Sequence, residues 1–367
     1  MKRRTVAGAA ALALTMGASG MASAGGITIA EHGDSTLKVE GLVFTDLTRA
    51  TTKTDGVKTA RSSGVNVSRT YLTTKYRFND DWMFRVTLDS VLEPGTLKKN
   101  NNIFLKYAYL QGKLAGNAAV LRLGLSHTPW IDHEEHLWGH RYLSNVLTDT
   151  LGYEASSDAG IGLEGKLMDG TIDYWVVAVN GGGYGNTKKH DAMDYSGRIG
   201  LHLVDGLTLD FQYRAGYHGK RDFGTPAPNG KQTLGQFMAT YGGHDYRVGV
   251  NYIIDRDDTG ATDKAKNANF KNTAYAVWGY GKVGDGFGLV GRFEREDGEP
   301  INGLTAGQFK QKRTRYLAGI EFSPTKHVDF TLAYDNTKYT NKGYVSTATA
   351  GATTEETKYG LWSQFKF

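Results

Sequence analysis

The chain has 367 residues, of which 40% are hydrophobic and 22% charged, and its mean hydropathy is −0.43. It contains no cysteine, which argues against a small secreted domain held together by disulfides. The formal net charge is +5, but subtracting the three cations Lys2, Arg3 and Arg4 at the start leaves +2. That remainder is too weakly basic to favour nucleic-acid binding.

The first 24 residues have the pattern of a cleaved export signal. The basic start Met1–Arg4 is followed by a small, apolar run to Gly20, and Ala22–Ala24 supplies a small-x-small cleavage site. The apolar run is too short for a membrane anchor, and no later run of about 18 apolar residues predicts a membrane helix. We therefore expect residues 1–24 to be removed and residues 25–367 to form one domain, exported through the periplasm.

Alternation of apolar and polar residues recurs along the rest of the chain. In residues 207–216, leucine, phenylalanine, tyrosine and alanine share one face, and threonine, aspartate, glutamine, arginine and glycine share the other. A period of two predicts β-strands rather than helices. We predict sixteen strands, over residues 37–48, 67–78, 82–90, 102–113, 119–126, 159–167, 171–180, 194–203, 207–216, 233–242, 245–254, 272–283, 287–295, 314–322, 328–339 and 357–367.

Short polar turns and long loops alternate between these strands. Turns such as Val204–Gly206 and Gly284–Gly286 contain the Asp-Gly pair that favours tight hairpins. Longer loops are predicted at about 49–66, 91–101, 127–158, 181–193, 217–232, 255–271, 296–313 and 340–356.

A sheet with one apolar and one polar face has to close on itself in a bilayer, because unpaired strand edges are not tolerated there. We therefore predict an all-β fold, a sixteen-stranded antiparallel transmembrane β-barrel in the bacterial outer membrane, with turns inside and loops outside. Sixteen strands leave a water-filled lumen. A secreted β-sandwich is the competing fold, but it does not explain a face rich in arginine and lysine opposite an aromatic one.

The last strand carries a resemblance to a known class of proteins. Residues Tyr359–Phe367 alternate and end on phenylalanine, which resembles the outer-membrane assembly signal of Gram-negative porins. Val120–Trp130 is similar to the strand of the phosphate-selective porin family that enters the loop inside the barrel. Ser68–Phe78 and Asp158–Gly165 resemble two further strands of that family.

This resemblance implies a homotrimer of channels that work by passive diffusion and need no cofactor. The chain shows no clear copy of the arginine and lysine ladders that bind phosphate in the family, so the resemblance does not imply phosphate specificity. Outer-membrane lipid, lipopolysaccharide and small hydrophilic solutes are the expected partners.

Sorting the strand residues by face places more cations than acids inside the barrel. Rings of cationic side chains favour anions, which predicts a mild anion preference. Pairing of opposite charges across neighbouring strands is the competing interpretation, and it leaves a nearly neutral wall. The expected pore-lining residues are Lys75, Arg77, Arg85, Arg122, Arg198, Arg214, Arg247 and Arg292.

The longest predicted loop, residues 127–158, is expected to fold into the lumen as a constriction loop, because a long excursion in a compact fold is usually functional. If residues 131–141 are helical, His133, His136 and His140 share one face and have the spacing to hold a transition metal. A polar loop without metal is the favoured interpretation, and a pH-sensitive constriction is an intermediate one. The expected constriction residues are His127, Trp130, Asp132, His133, Glu134, Glu135, His136, His140 and Arg141.

No local motif brings a nucleophile and a base together, so we predict no enzymatic activity. The sequence favours an outer-membrane porin. A barrel enzyme, or an adhesin without an open pore, is the alternative.

Overall fold

The computed structural model describes residues 26–90, 103–221, 231–257, 270–300, 310–342 and 351–367. The predicted export signal, residues 1–24, lies outside these ranges, as does the predicted loop 91–101. The central parts of the predicted loops that begin at residues 217, 255, 296 and 340 also lie outside them.

Within these ranges the chain forms an antiparallel sheet, two α-helices and one 3₁₀ turn. The helices are α1 (Pro129–Trp138) and α2 (Leu147–Leu151), and the 3₁₀ turn is Met168–Gly170. Neither α-helix in the described part of the chain is long and apolar enough to cross a membrane. The strands are β1 (Ile27–His32), β2 (Ser35–Thr54), β3 (Val57–Arg77), β4 (Trp82–Ser90), β5 (Ile103–Lys113), β6 (Val120–His127), β7 (Ser157–Leu167), β8 (Ile172–Val179), β9 (Asp194–Val204), β10 (Leu207–Gly216), β11 (Gln232–Gly242), β12 (Tyr246–Asp257), β13 (Phe270–Gly284), β14 (Phe287–Pro300), β15 (Gln311–Thr325), β16 (Val328–Thr340) and β17 (Thr353–Lys366).

The strands β2 to β17 close into a barrel. Each pairs with the next strand in sequence, and β17 pairs back with β2. At the end of this seam, Gly41 and Phe367 exchange two backbone hydrogen bonds, of 3.2 and 3.0 Å. The short strand β1 pairs with the start of β2, beyond the end of β17. The predicted all-β, sixteen-stranded antiparallel barrel is confirmed.

Burial along the strands is the reverse of that in a water-soluble protein. On β12, Tyr252 and Ile254 are 44% and 45% exposed, whereas Asn251 and Asp255 are completely buried. On β10, Phe211 is exposed, and its polar neighbours Asp210 and Gln212 are buried. A soluble sheet buries its apolar face. An apolar exterior around a polar interior is stable in hydrocarbon, as in outer-membrane barrels.

The prediction of a loop at residues 49–66 is wrong. These residues extend β2 and β3 into a hairpin whose only connection is Asp55–Gly56, with φ angles of 49° and 81°. A two-residue turn of this kind requires positive φ at both positions, and Asp-Gly is a preferred sequence for it. The short strand β1 was not predicted either. β14 and β15 reach into the predicted loop 296–313, to Pro300 and from Gln311.

The seam gives a test of barrel closure. A Cβ atom added at Gly41 would overlap the ring of Phe367, so we expect Gly41→Val to destabilise the barrel by about 1–3 kcal/mol, the usual cost of overpacking. Gly291→Val is the matched control, because its added Cβ meets no heavy atom closer than 3.8 Å. Denaturant unfolding in detergent measures both, and equal stability of the two variants would contradict the role of this contact.

Candidate functional site

The connection between β6 and β7, residues 128–156, contains both helices, and we name it the inner segment. Pro129 begins α1, where its fixed φ suits the first helical position. Gly139 ends α1 with a φ of 68°, the left-handed conformation common after a helix. The Thr128 hydroxyl donates to the carbonyl oxygen of Ala155 at 2.7 Å, which ties the two ends of the inner segment together.

The inner segment crosses the lumen. The hydroxyls of Tyr142 and Thr331, the latter on β16, lie 2.6 Å apart. The Tyr153 hydroxyl donates to a carboxylate oxygen of Glu296 on β14, at 2.6 Å. Strands β14 and β16 lie across the sixteen-strand ring from β6 and β7, where the segment begins and ends. These contacts therefore join opposite walls of the barrel.

Apolar side chains hold the inner segment against one side of the wall. Trp130, Ile131 and Trp138 are completely buried, and burying side chains of this size contributes about 1.5–3 kcal/mol each. Their cluster includes inward-facing apolar residues of β11 to β17, which the alternation alone did not single out. These wall residues are Leu234, Met238, Ile253, Ala274, Ala276, Trp278, Val290, Leu317, Ala333 and Trp362.

Charged contacts reinforce this position. Arg141 lies 2.6 Å from Glu135 within the inner segment, and it donates to the hydroxyl of Tyr71 on β3 at 2.7 Å. Arg315 on β15 donates to the hydroxyl of Ser144 at 2.7 Å. The inner segment is thus bound to strands on both sides of the seam.

The three histidines of the metal hypothesis do not come together. His133 faces Asp210 on β10 at 3.0 Å, and His140 faces Glu321 on β15 at 2.6 Å. α1 ends at Trp138, so His140 lies beyond the helix that the hypothesis requires, and His136 is exposed. In the part of the chain that the structure describes, no three metal-ligating side chains converge.

Two other predicted constriction residues lie where β6 meets the inner segment, His127 at the end of β6 and Asp132 in α1. The ring of His127 stacks on Tyr107 with centroids 3.7 Å apart, and its Nε2 lies 3.5 Å from Asp132. Both His127 and Asp132 are buried. Through His127, Asp132 in α1 is linked to β6 and to Tyr107 of β5.

Glu134 is a buried acid between α1 and β14. It accepts a hydrogen bond from the Trp130 indole nitrogen at 2.9 Å and lies 3.7 Å from Arg292. Burial raises the pKa of Glu134 to about 7. Arg292 and the indole act in the opposite direction, and nearby Glu294 adds to the rise.

Most of the predicted pore-lining arginines face inward but are buried in ion pairs. A buried pair holds its cation in place instead of presenting it to passing solutes. The pairs are Arg122 with Glu164 at 2.8 Å, Arg198 with Asp210 at 2.6 Å, Arg214 with Asp194 at 2.6 Å and Arg292 with Glu294 at 2.5 Å.

The other predicted cations differ in their surroundings. Arg85 is buried, donates to the Thr87 hydroxyl at 3.1 Å and lies over the ring of Tyr107. Lys75, Arg77 and Arg247 are partly exposed. Of these three cations, only Lys75 has an ion-pair contact within the described residues, with Glu40 at 2.7 Å. 

Several inward-facing charges on β2, β3, β16 and β17 are partly exposed. The side chains of Lys358 on β17, Lys75 on β3 and Arg69 on β3 are 37%, 29% and 15% exposed. On β10 and β14, by contrast, Asp210 and Glu294 are completely buried. The sequence did not favour Lys358 or Arg69, because exposure here depends on which wall the inner segment covers.

The buried acid predicts a pH dependence. When the inner segment is undocked from the wall, the Glu134 carboxyl loses its proton near its ordinary pKa of 4.5. When the segment is docked, the carboxyl keeps its proton up to a pH of about 7. The docked segment therefore binds the extra proton, and docking weakens as pH rises between these values.

We expect amide protection in α1, after correction for intrinsic exchange rates, to fall on the order of tenfold or more from pH 4.5 to pH 8. Hydrogen exchange measured by mass spectrometry provides the readout. Glu134→Gln should make this dependence shallower, while Glu135, whose pKa burial also raises to about 7, keeps part of it. Glu31→Gln, at an exposed site, should leave the dependence unchanged. An equally steep dependence in the Glu134 variant would contradict the assignment.

No family model matches this chain, and no curated protein matches it. Solved structures do. The outer membrane channel DcaP of Acinetobacter baumannii aligns with 13% identity and a TM-score of 0.65 over 93% of this chain and 99% of that one. The anion-selective porin from Comamonas acidovorans aligns with 12% identity and a TM-score of 0.63 over 91% and 100%.

A trimer form of OmpT, an outer membrane protein of Vibrio cholerae, aligns with 16% identity and a TM-score of 0.54 over 91% of this chain and 99% of that one. At identities this low, the structural alignments establish a shared fold and not a shared function. The strand number, the closure of the sheet and the inverted burial agree with that likeness. The chain has the fold of outer-membrane porins.

Proposed function

We propose that this protein is an outer-membrane porin, a water-filled channel for the passive diffusion of small hydrophilic solutes and ions. The observation that carries the proposal is the row of partly exposed charged side chains inside the barrel, on β16, β17, β2 and β3. A polar surface that touches water along a closed barrel supplies a path for solutes. Diffusion down a gradient needs no cofactor and no catalytic group.

The inner segment is the proposed constriction. It crosses the lumen and packs against the wall from β10 to β17, and the remaining path runs along the partly exposed charges of the seam strands. Tyr142 and Arg141 form part of its tip, because they reach β16 and β3. The size limit of the channel is then set by side chains of the inner segment and of the seam strands together.

The charge along this path supports a mild anion preference. Lys75 pairs with Glu40, and Lys358 lies 3.3 Å from Asp46, so these charges largely cancel. Lys38, on β2, directly opposes Lys75 across the strand pair, and no ion pair of Lys38 is found in the described residues. Two adjacent cations with one acid leave a positive excess, which attracts anions.

A barrel without an open pore is the second candidate function. The complete burial of Trp130, Ile131 and Trp138 favours it, because these side chains and their cluster fill part of the lumen. An adhesive or structural barrel would then present its long loops as the working surface. Conductance separates this candidate from the channel.

We also propose a homotrimer. The family resemblance of the sequence supports this assembly, as does the trimeric form of the OmpT structure. We propose no enzymatic activity, since neither candidate function requires a reacting group.

Planar-bilayer recording tests the channel. Purified protein should give discrete, ohmic current steps, and Tyr142→Ala should enlarge them, because it removes a buried side chain that ties the inner segment to β16. Tyr334→Ala is the control, since Tyr334 lies on β16 but on the exposed exterior face. Absence of current steps would favour the barrel without a pore.

Reversal potentials in a salt gradient test the ion preference. Lys38→Glu should shift the potential toward cation selectivity, because it reverses an exposed charge inside the path. Lys326→Glu makes the same change of charge in the exposed turn between β15 and β16 and should have little effect. An unchanged potential in the Lys38 variant would remove this residue from the selectivity filter.

A further inference from the structure

Three cations lie side by side on the inner face of the barrel wall, and we name them the basic row. Lys38 on β2 is directly opposite Lys75 on β3, and Lys75 is directly opposite Arg85 on β4. Thr28 on β1 and Tyr109 on β5 continue the row at its two ends, so no acid lies within it. Neighbouring strands are about 4.8 Å apart, so the backbone positions of the three cations span about 10 Å.

The charge of the basic row is only partly balanced. Glu40 is the one acid within two residues of the row on the inner faces of β2, β3 and β4, and it lies 2.7 Å from Lys75. Within the described residues, Lys38 and Arg85 have no ion pair. Like charges in directly opposite positions destabilise a sheet. An anion bound along the row would remove that cost.

The basic row lies near one mouth of the barrel. The connection between β3 and β4 is the short turn of residues 78–81, and short turns of outer-membrane barrels are periplasmic. Arg77, a further inward cation, lies between the row and the turn acids Asp80 and Asp81. Glu31 on β1 is opposite Thr36, the partner of Arg77, and therefore belongs to the row of Arg77. These acids are nearer to Arg77 than to the basic row.

Exposure to water decreases along the basic row from β2 to β4. Lys38 is exposed, the side chain of Lys75 is 29% exposed and Arg85 is 8% exposed. Arg85 donates to the Thr87 hydroxyl at 3.1 Å and lies over the ring of Tyr107, which fixes its position. A solute therefore meets Lys38 and Lys75 first. Arg85 lies behind them, where exclusion of water strengthens its attraction for an anion.

We propose that the basic row binds solutes that carry two anionic groups, one contacting Lys38 and the other contacting Lys75 and Arg85. The inference rests on the proposed channel, and it adds a binding site and a class of solute to a general preference for anions. A solute with one charge engages one end of the row. A solute with two charges about 5–10 Å apart engages both ends, and the second contact forms at a high effective concentration.

Ligand-detected NMR of the purified protein in detergent tests binding without requiring a channel. The probe is 1,4-butanedisulfonate, whose two sulfonates stay ionised, and 1-butanesulfonate is the comparison with the same carbon chain and one charge. Titrations at low ionic strength should give an affinity about fivefold higher for the disulfonate, because one more exposed ionic contact contributes up to about that factor.

Substitutions in and beside the basic row test its role in both directions. Lys38→Gln should lower the affinity for the disulfonate about fivefold and leave that for the monosulfonate nearly unchanged. Glu40→Gln removes the neighbouring acid and should raise the affinity for the disulfonate, a gain that a misfolded variant would not show. Lys326→Gln removes the same charge from the exposed turn between β15 and β16, and this control should bind as the unmodified protein does.

Three results would overturn the proposal: equal affinities for the two sulfonates, equal losses in the Lys38 and Lys326 variants, or no gain in Glu40→Gln. Planar-bilayer recording reports separately on the channel. Preferential binding of the disulfonate without current steps would refute the channel and retain the site. Current steps without that preference would refute the site alone.

Discussion

The structure depends on one constraint, that backbone N–H and C=O groups in hydrocarbon have no water to bond. A sheet meets this constraint only when its last strand pairs with its first. In this chain β17 pairs with β2, and Gly41 and Phe367 hold the end of that seam. Closure fixes an inside and an outside for each strand, and the inverted burial of residues such as Tyr252 and Asp255 follows from it.

The interior then has to accommodate many charged groups in a confined space. Buried charges are tolerated when they are paired, and the arginines of β6, β9, β10 and β14 each have a carboxylate partner. The inner segment contacts two of these pairs, through His133 to Asp210 and Glu134 to Arg292, and it adds an apolar cluster. Because the inner segment packs mainly against one side of the wall, the barrel interior has a packed part and a part that water reaches. The proposed channel depends on that division.

Much of the fold could be predicted from the sequence, because strand alternation has a short period and is read from neighbouring residues. The Asp55–Gly56 turn also had a local signal, but the threonine-rich residues around it were interpreted as a loop. The site was harder to predict. Alternation identified Arg122 and Arg292 as inward-facing, yet their burial depends on Glu164, Glu294 and the inner segment, which are distant in sequence. Alternation also places Lys358 and Arg69 inward, but it does not show that they are more exposed than the buried arginines.

The inner segment also has a consequence for assembly. Its ends are local to β6 and β7, but its contacts from Tyr142 to Thr331 and from Ser144 to Arg315 join residues 189 and 171 positions apart. Such distant contacts form late, since the intervening chain has to be ordered first. Until then, Trp130 and Trp138 lack the wall residues they pack against, and their exposed apolar surface favours aggregation. The same tryptophans that stabilise the finished lumen therefore add to the apolar surface that the nascent protein has to shield from water until it is inserted.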